Sequence, residues 1–285
     1  MLRTEEIALP DQPAAKHDVS HCTASLALVF AADGATTRLV ERRHFGPLRV
    51  QKPLYPEGPA ICHAIVLHPP GGVVGGDELT ITADVGAVAH ALITTPGAAK
   101  WYKANGHVSK QYVTLTVGAG ATLEWLPQET IFFDAAQVKM RHTVNLELDA
   151  RYISSEILCF GRTASGESFN TGRIAQMTSI RLAGKLVWFE QGSINGGSSA
   201  MHSQLGLAGK TVCATLIAVG ASLPATLVAE LRALGLGVTQ MKNVLVVRHL
   251  GDASETARNL IAAAWQLIRP ALTGRVAQLP RIWQT

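Results

Sequence analysis

Three acids stand on strand faces that are otherwise apolar. Asp77 closes the stretch LHPPGGVVGGD (67–77) and by alternation shares its side with Leu79, Ile81 and Val85. Glu156 lies in YISSEILCF, where Tyr152, Leu158 and Phe160 share its face and Ile153 and Ile157 occupy the other. Glu190 ends LVWFE, in line with Leu186 and Trp188. A carboxylate buried alone either costs several kcal/mol or stays protonated, so each of these needs a cation, a hydrogen-bond donor or water. The plain reading of any one of them is a salt bridge to an arginine or an exposed strand end. Three in one β body are consistent with an internal polar path or pocket. Hard oxygen donors and water suit a divalent ion held loosely, which favours transfer over storage.

Other chemistries find less support. GLAGKT (206–211) ends like a phosphate-binding loop, but Gln204 replaces the first glycine of that motif and a strand, TVCATLIAV, follows where a helix is required; it reads as a turn. GGVVGGD lacks dinucleotide-loop spacing and no helix follows it. The ten histidines contain no H-E-x-x-H, and alternation sends His63 and His68 to opposite strand faces. No G-x-S-x-G elbow singles out a serine. Cys22, Cys62, Cys159 and Cys213 form neither a C-x-x-C pair nor a regular framework, which points to a reducing cytoplasm rather than to disulfides or structural zinc.

The elements that must position these acids are mostly strands. Period-two patterns run through 61–68, 78–85, 88–95, 111–117, 121–126, 139–149, 151–160, 174–182 and 185–191. The Gly/Ser stretch 192–203 has the composition of a mobile surface loop. After it the pattern changes to strand 211–219, a helix around 223–234, strand 244–249 and a helix at about 253–269. Asp252 is placed to cap this last helix and Pro270 falls just past its end. The fold class is therefore mainly β: a strand-built body over about 23–220 and a small α/β C-terminal part over about 221–285 that carries two helices. Residues 1–22 form an N-terminal arm to which no role is assigned.

With 285 residues, 47% hydrophobic and 16% charged, the chain can bury a substantial core without staples. The first eighteen residues mix acids, bases and prolines without an apolar leader, and no run reaches membrane-spanning length, so neither secretion nor a membrane is expected. The formal net charge of +4 is dispersed, and the densest basic stretch, Arg38 to Lys52, alternates with apolar positions as a solvated strand edge would. Nucleic-acid binding is not expected.

Taken in order, LHPPGGVVGGDELTI, LITTPGAAKWYKANG, ATLEWLPQETIFF, SSEILCFGRTASGESF and the C-terminal PRIWQT closely resemble the urease accessory protein UreD family, called UreH in some bacteria. The matches extend from about Pro47 to Thr285. The resemblance implies a β-helix-like coiled body and a non-enzymatic chaperone that binds urease apoprotein and UreF and, through UreF, the GTPase UreG. It also implies an internal water-filled path, lined partly by carboxylates, along which nickel passes in transit to the urease active site, with no cofactor tightly bound. Matched residue by residue, the acids of that path are Asp77, Glu156 and Glu190. In this reading Gly71, Gly72, Gly75 and Gly76 allow tight turns and close approach, Pro69 and Pro70 fix the loop's entry, and Asp77 is held at an internal mouth. From a different class, a carbohydrate-active β-solenoid enzyme could use paired carboxylates as acid and base. The 6% aromatic content is thin for a sugar-stacking cleft.

Overall fold

A computed structural model describes residues 21–284. The arm assigned to residues 1–22 therefore lies outside the described residues except for His21 and Cys22. Seventeen strands and three α-helices follow in order: β1 (Thr23–Asp33), β2 (Thr36–Phe45), β3 (Arg49–Val50), β4 (Cys62–Leu67), β5 (Glu78–Val85), β6 (His90–Thr94), β7 (Ala99–Trp101), β8 (Ser109–Val117), β9 (Thr122–Leu126), β10 (Thr130–Phe132), β11 (Gln137–Leu146), β12 (Arg151–Phe160), β13 (Arg173–Leu182), β14 (Lys185–Asn195), α1 (Ser199–His202), β15 (Val212–Val219), α2 (Ala225–Ala233), β16 (Gly237–Met241), β17 (Val244–Gly251) and α3 (Ser254–Thr273).

The chain coils. It passes from one sheet to the other and back, so strands distant in sequence lie parallel: β1, β5, β8, β11 and β13 in one sheet, and β4, β6, β9 and β12 in the other. Antiparallel strands finish each stack, giving a seven-stranded sheet edged by β2 and β14 and a ten-stranded sheet edged by β3 and β16. Short β7 and β10 form a third ladder against the end of β12. The body is mainly β and solenoid-like, as the sequence and its resemblance imply.

Coiling stacks like positions into rows across the parallel strands. Val85, Val117, Leu146 and Leu182 share one row, and Ala83, Leu115, Val144 and Ile180 the next; these fill the space between the sheets. Fully burying such a side chain is worth about 1.5–3 kcal/mol. Moving toward the other end of the strands, the rows turn partly polar: Ile81, Val113, His142 and Thr178, then Leu79, Gln111, Met140 and Gln176. One half of the interior is therefore dry and the other cannot be.

The two sheets differ in their outer faces. The outer face of the seven-stranded sheet meets solvent, which is why β5 alternates between buried Leu79, Ile81, Ala83 and Val85 and exposed Thr82 and Asp84. The ten-stranded sheet is covered by α2 and α3, with Ile153, Ile157, Leu216 and Val247 packed against Leu231, Ile261, Trp265 and Ile268. Two covered faces explain the near-continuous apolar run in YISSEILCF.

Three sequence expectations need correction. The helix at 253–269 continues through Pro270 to Thr273 and stops at Gly274, whose φ of +71° suits a left-handed cap. A proline there leaves one helical carbonyl without its usual donor; buried Arg269 and Leu272 on either side hold the turn in place. Ala253 occupies the N-cap, while Asp252 instead pairs with Lys210 at 2.7 Å. Stretch 192–203 is no free loop, because β14 runs to Asn195 and α1 follows with Met201 buried.

Candidate functional site: a polar cavity between the sheets

Where the rows turn polar, a cavity of about 1060 Å³ opens between the sheets. The seven-stranded sheet contributes Gln111, His142, Gln176 and Thr178 to its wall, and the ten-stranded sheet Ser154, Glu156, Cys213 and Thr215. Glu156, Thr215 and Arg248 stand side by side across β12, β15 and β17, and Thr178 pairs with Glu190 across β13 and β14. Both acids, Glu156 and Glu190, line the cavity.

Two bridges cross from sheet to sheet. Gln176 Nε2 donates to Glu156 Oε2 at 2.5 Å, and Arg248 Nη2 donates to Glu190 Oε1 at 2.6 Å. Their settings are unequal. The Arg248–Glu190 pair is half-exposed at the rim, whereas Glu156 sits deep in protein with its open side toward the cavity. Burial and then the negative charge of Glu190 push the Glu156 carboxyl up to about 7, against the opposing effect of the Gln176 amide. Glu156 thus competes for a positive charge, whether a proton or a cation.

Two neighbouring groups, the His142 imidazole and the Cys213 thiol, are neutral. Burial pushes His142 down to about 4, and its Nε2 lies 3.0 Å from the Tyr152 hydroxyl. Burial and the Glu156 charge push the Cys213 thiol up to about 11, so it stands as a thiol rather than a thiolate. No group of three or more His, Cys, Asp or Glu that could hold a metal ion occurs among the described residues. The carboxylates alone offer a divalent ion two points of attachment, leaving its remaining positions to water.

Asp77 lies elsewhere. It is buried just before β5, outside the cavity lining, and both its oxygens serve backbone amides: Oδ1 accepts from Cys22 N at 2.8 Å and Oδ2 from Val74 N at 3.0 Å. Its carboxylate fastens the start of β1 to the Pro-Gly loop. Glycines let that loop close: a Cβ on Gly75 would stand 1.9 Å from the Ala104 carbonyl oxygen, and Gly76 has φ +94°. Pro69 and Pro70 are exposed at its entry, while Gly71 and Gly72 line the cavity with His68. The loop forms cavity wall, and Asp77 braces it from behind.

Sequence reading missed a second acidic cluster. Arg269 on α3 is fully buried; its Nε donates to Glu124 Oε1 at 2.9 Å and its Nη1 and Nη2 to Glu57 Oε2 and Oε1 at 2.6 and 2.9 Å. Trp265 Nε1 donates to Glu124 Oε2 at 2.7 Å, and His90 and His63 bond the same two acids at 2.7 and 2.8 Å. The available signal was a cation on the apolar stripe of α3, four residues after Trp265.

Fold and site together define the class of protein: a coiled β body around a carboxylate-bearing cavity. No helix among the described residues is long and apolar enough to cross a membrane. The sequence profile of the UreD urease accessory protein family matches residues 22–284. The chain is 63% identical to the urease accessory protein UreD of Janthinobacterium sp. (strain Marseille), over 92% of this chain and 91% of that one. It is 54% identical to the protein of that name from Nitrosospira multiformis (92% and 97% covered) and 48% identical to that from Dechloromonas aromatica (92% and 94%). The chain belongs to the UreD family of urease accessory proteins.

Proposed function

We propose that this chain is a non-catalytic chaperone of urease maturation in the cytoplasm, which binds urease apoprotein and UreF, recruits the GTPase UreG through UreF, and passes nickel through its internal cavity. The observation that carries the route is the pair of acids, Glu156 and Glu190, set on opposite sheets and lining one cavity. Nickel is cargo here. A hydrated divalent ion could exchange one or two waters for carboxylate oxygens and leave again, because Cys213 stands as a thiol rather than a thiolate and His142 Nε2 is engaged by the Tyr152 hydroxyl. Asp77 contributes by holding the loop that forms part of the wall, rather than by offering a free oxygen.

The test is the nickel content per active site of urease purified from cells that express the full accessory set. Wild type is compared with a deletion of this chain and with a Glu156→Gln, Glu190→Gln double variant that still co-purifies with its partners. Low nickel in both altered strains is expected. Full loading with the double variant would leave the chain a scaffold and remove the route. Full loading after deletion would remove the maturation role itself.

A further inference from the structure

The seven-stranded sheet has a second open edge, on the side away from β14. There β2 and β3, the edge strands of the two sheets, bound a cavity of about 780 Å³. Its floor is apolar, with Leu26 and Val50 both buried, and its walls carry Arg42, His44, Arg49 and Lys52. No acid lines it.

All four cations are exposed, and register sets two of them, Arg42 and His44, on the sandwich-facing side. A bulge opposite Val29 and Phe30 leaves Val40 unpaired and sets Arg42 opposite Leu28 and His44 opposite Leu26, the core residues of β1. Arg42 and His44 thus occupy the sandwich-facing side at the point where the sandwich is left unfilled. The neighbouring arginines are matched, Arg38 with Asp33 and Arg43 with Glu41, but none of the four cavity cations has an acidic partner among the described residues. The edge backbone is free past Leu39. Thr37 N donates to Pro59 O and the Leu39 backbone bonds the Cys62 thiol; beyond Leu39 no β2 backbone group bonds outside β1 among the described residues. Val40 and Phe45, 57% and 65% exposed, flank this free stretch.

We propose that this edge is a docking site for an extended acidic segment of a partner protein, which adds as a strand beside β2. Its backbone would pair with the free edge, its carboxylates on the sandwich-facing side would meet Arg42 and His44 and, across the cavity, Arg49 and Lys52, and the alternate apolar side chains would lie on the opposite face beside Phe45. The surface lies at the edge of the seven-stranded sheet opposite the strand that carries Glu190. Inward charges and a bulge also serve to keep an edge strand from self-pairing.

The probe is a labelled ten-residue peptide of alternating valine and glutamate, titrated against the full chain by fluorescence anisotropy, with the valine–lysine peptide as control. Binding of the acidic peptide alone is expected, weakening as salt rises. An Arg42→Glu, Arg49→Glu variant should bind at least about tenfold more weakly; Arg42→Gln, Arg49→Gln, which should lose less, provides the same reading if charge reversal impairs folding. No binding, equal binding of both peptides, or unchanged binding by both variants would overturn the proposal. So would variants that self-associate in sedimentation while the wild type ignores the peptide, since the cations would then be edge guards. Binding seen only after removal of residues 1–20 would name the chain's own N-terminal segment as the occupant, and would equally overturn a partner.

Discussion

Two pairs of acids flank the ten-stranded sheet, one on each side, and they are treated in opposite ways. Under α3, Glu57 and Glu124 share Arg269, two histidines and Trp265. Burial alone would raise both carboxyls, but for Glu57 the bonds from His63 and Arg269, and for Glu124 those from His90, Arg269 and Trp265, overcome it and hold both below the ordinary range. On the inner face, Glu156 has one amide donor and faces the like charge of Glu190, so burial wins. Burying an acid therefore says little by itself. The supply of donors decides whether it fastens the fold or stays available to something that enters.

The strongest challenge to this contrast is removal of the shared cation. Arg269→Met leaves Glu57 and Glu124 buried without their main partner, a loss that typically costs about 3–5 kcal/mol. Urea unfolding should show it as a clear fall in midpoint. A change below about 1 kcal/mol would mean that the histidines suffice and that the cluster is not the clasp holding α3 to the body.

The same contrast predicts opposite pH dependence. Carboxyls held low in the folded state, Glu57 and Glu124, contribute stability that is present above their unfolded pKa and is lost as pH falls through the folded value. Glu156 is held high, so its favourable contribution is present below about 4.5 and is lost as pH rises through about 7. Glu156→Gln should therefore match wild type near pH 4.5 and become more stable than it above pH 7, by about 1–2 kcal/mol once water in the cavity is allowed for. Glu124→Gln should be destabilising at pH 7 and less so in acid. Parallel pH profiles for the two variants would dissolve the distinction between the clusters.

How far the sequence reveals this depends on range. Alternation within one strand placed the strands and set Glu156 on the cavity face, because the period of two is local. The coiling was not legible from alternation, since Ile81, Val113, His142 and Thr178 share a row only after about thirty residues of chain return to the same sheet; it entered through family resemblance. Asp77 was correctly placed inside but not in the cavity, because parity gives a face and cannot count donors; here Cys22 and Val74 had already claimed both oxygens. Glu57 escaped notice in a turn, and Glu124 in the apolar context TLEWL, as its cation lies 145 residues away on a helix.

The smallest expected effect sharpens the comparison most. Glu190 and Arg248 form a half-exposed pair, so Glu190→Gln should change stability by less than about 1 kcal/mol. Its consequence should instead appear at Glu156, which feels the Glu190 charge as a contribution that raises its pKa. Following the Glu156 carboxyl by carbon-detected NMR, the titration midpoint in Glu190→Gln should move down from about 7 but stay above the ordinary carboxylate value, because burial is the larger cause. A midpoint that falls to the ordinary value would make the paired charge, not the dry surroundings, the source of the tuning. An unmoved midpoint would mean that the two acids do not sense each other across the cavity, and a route in which one hands an ion to the other would lose its electrostatic basis.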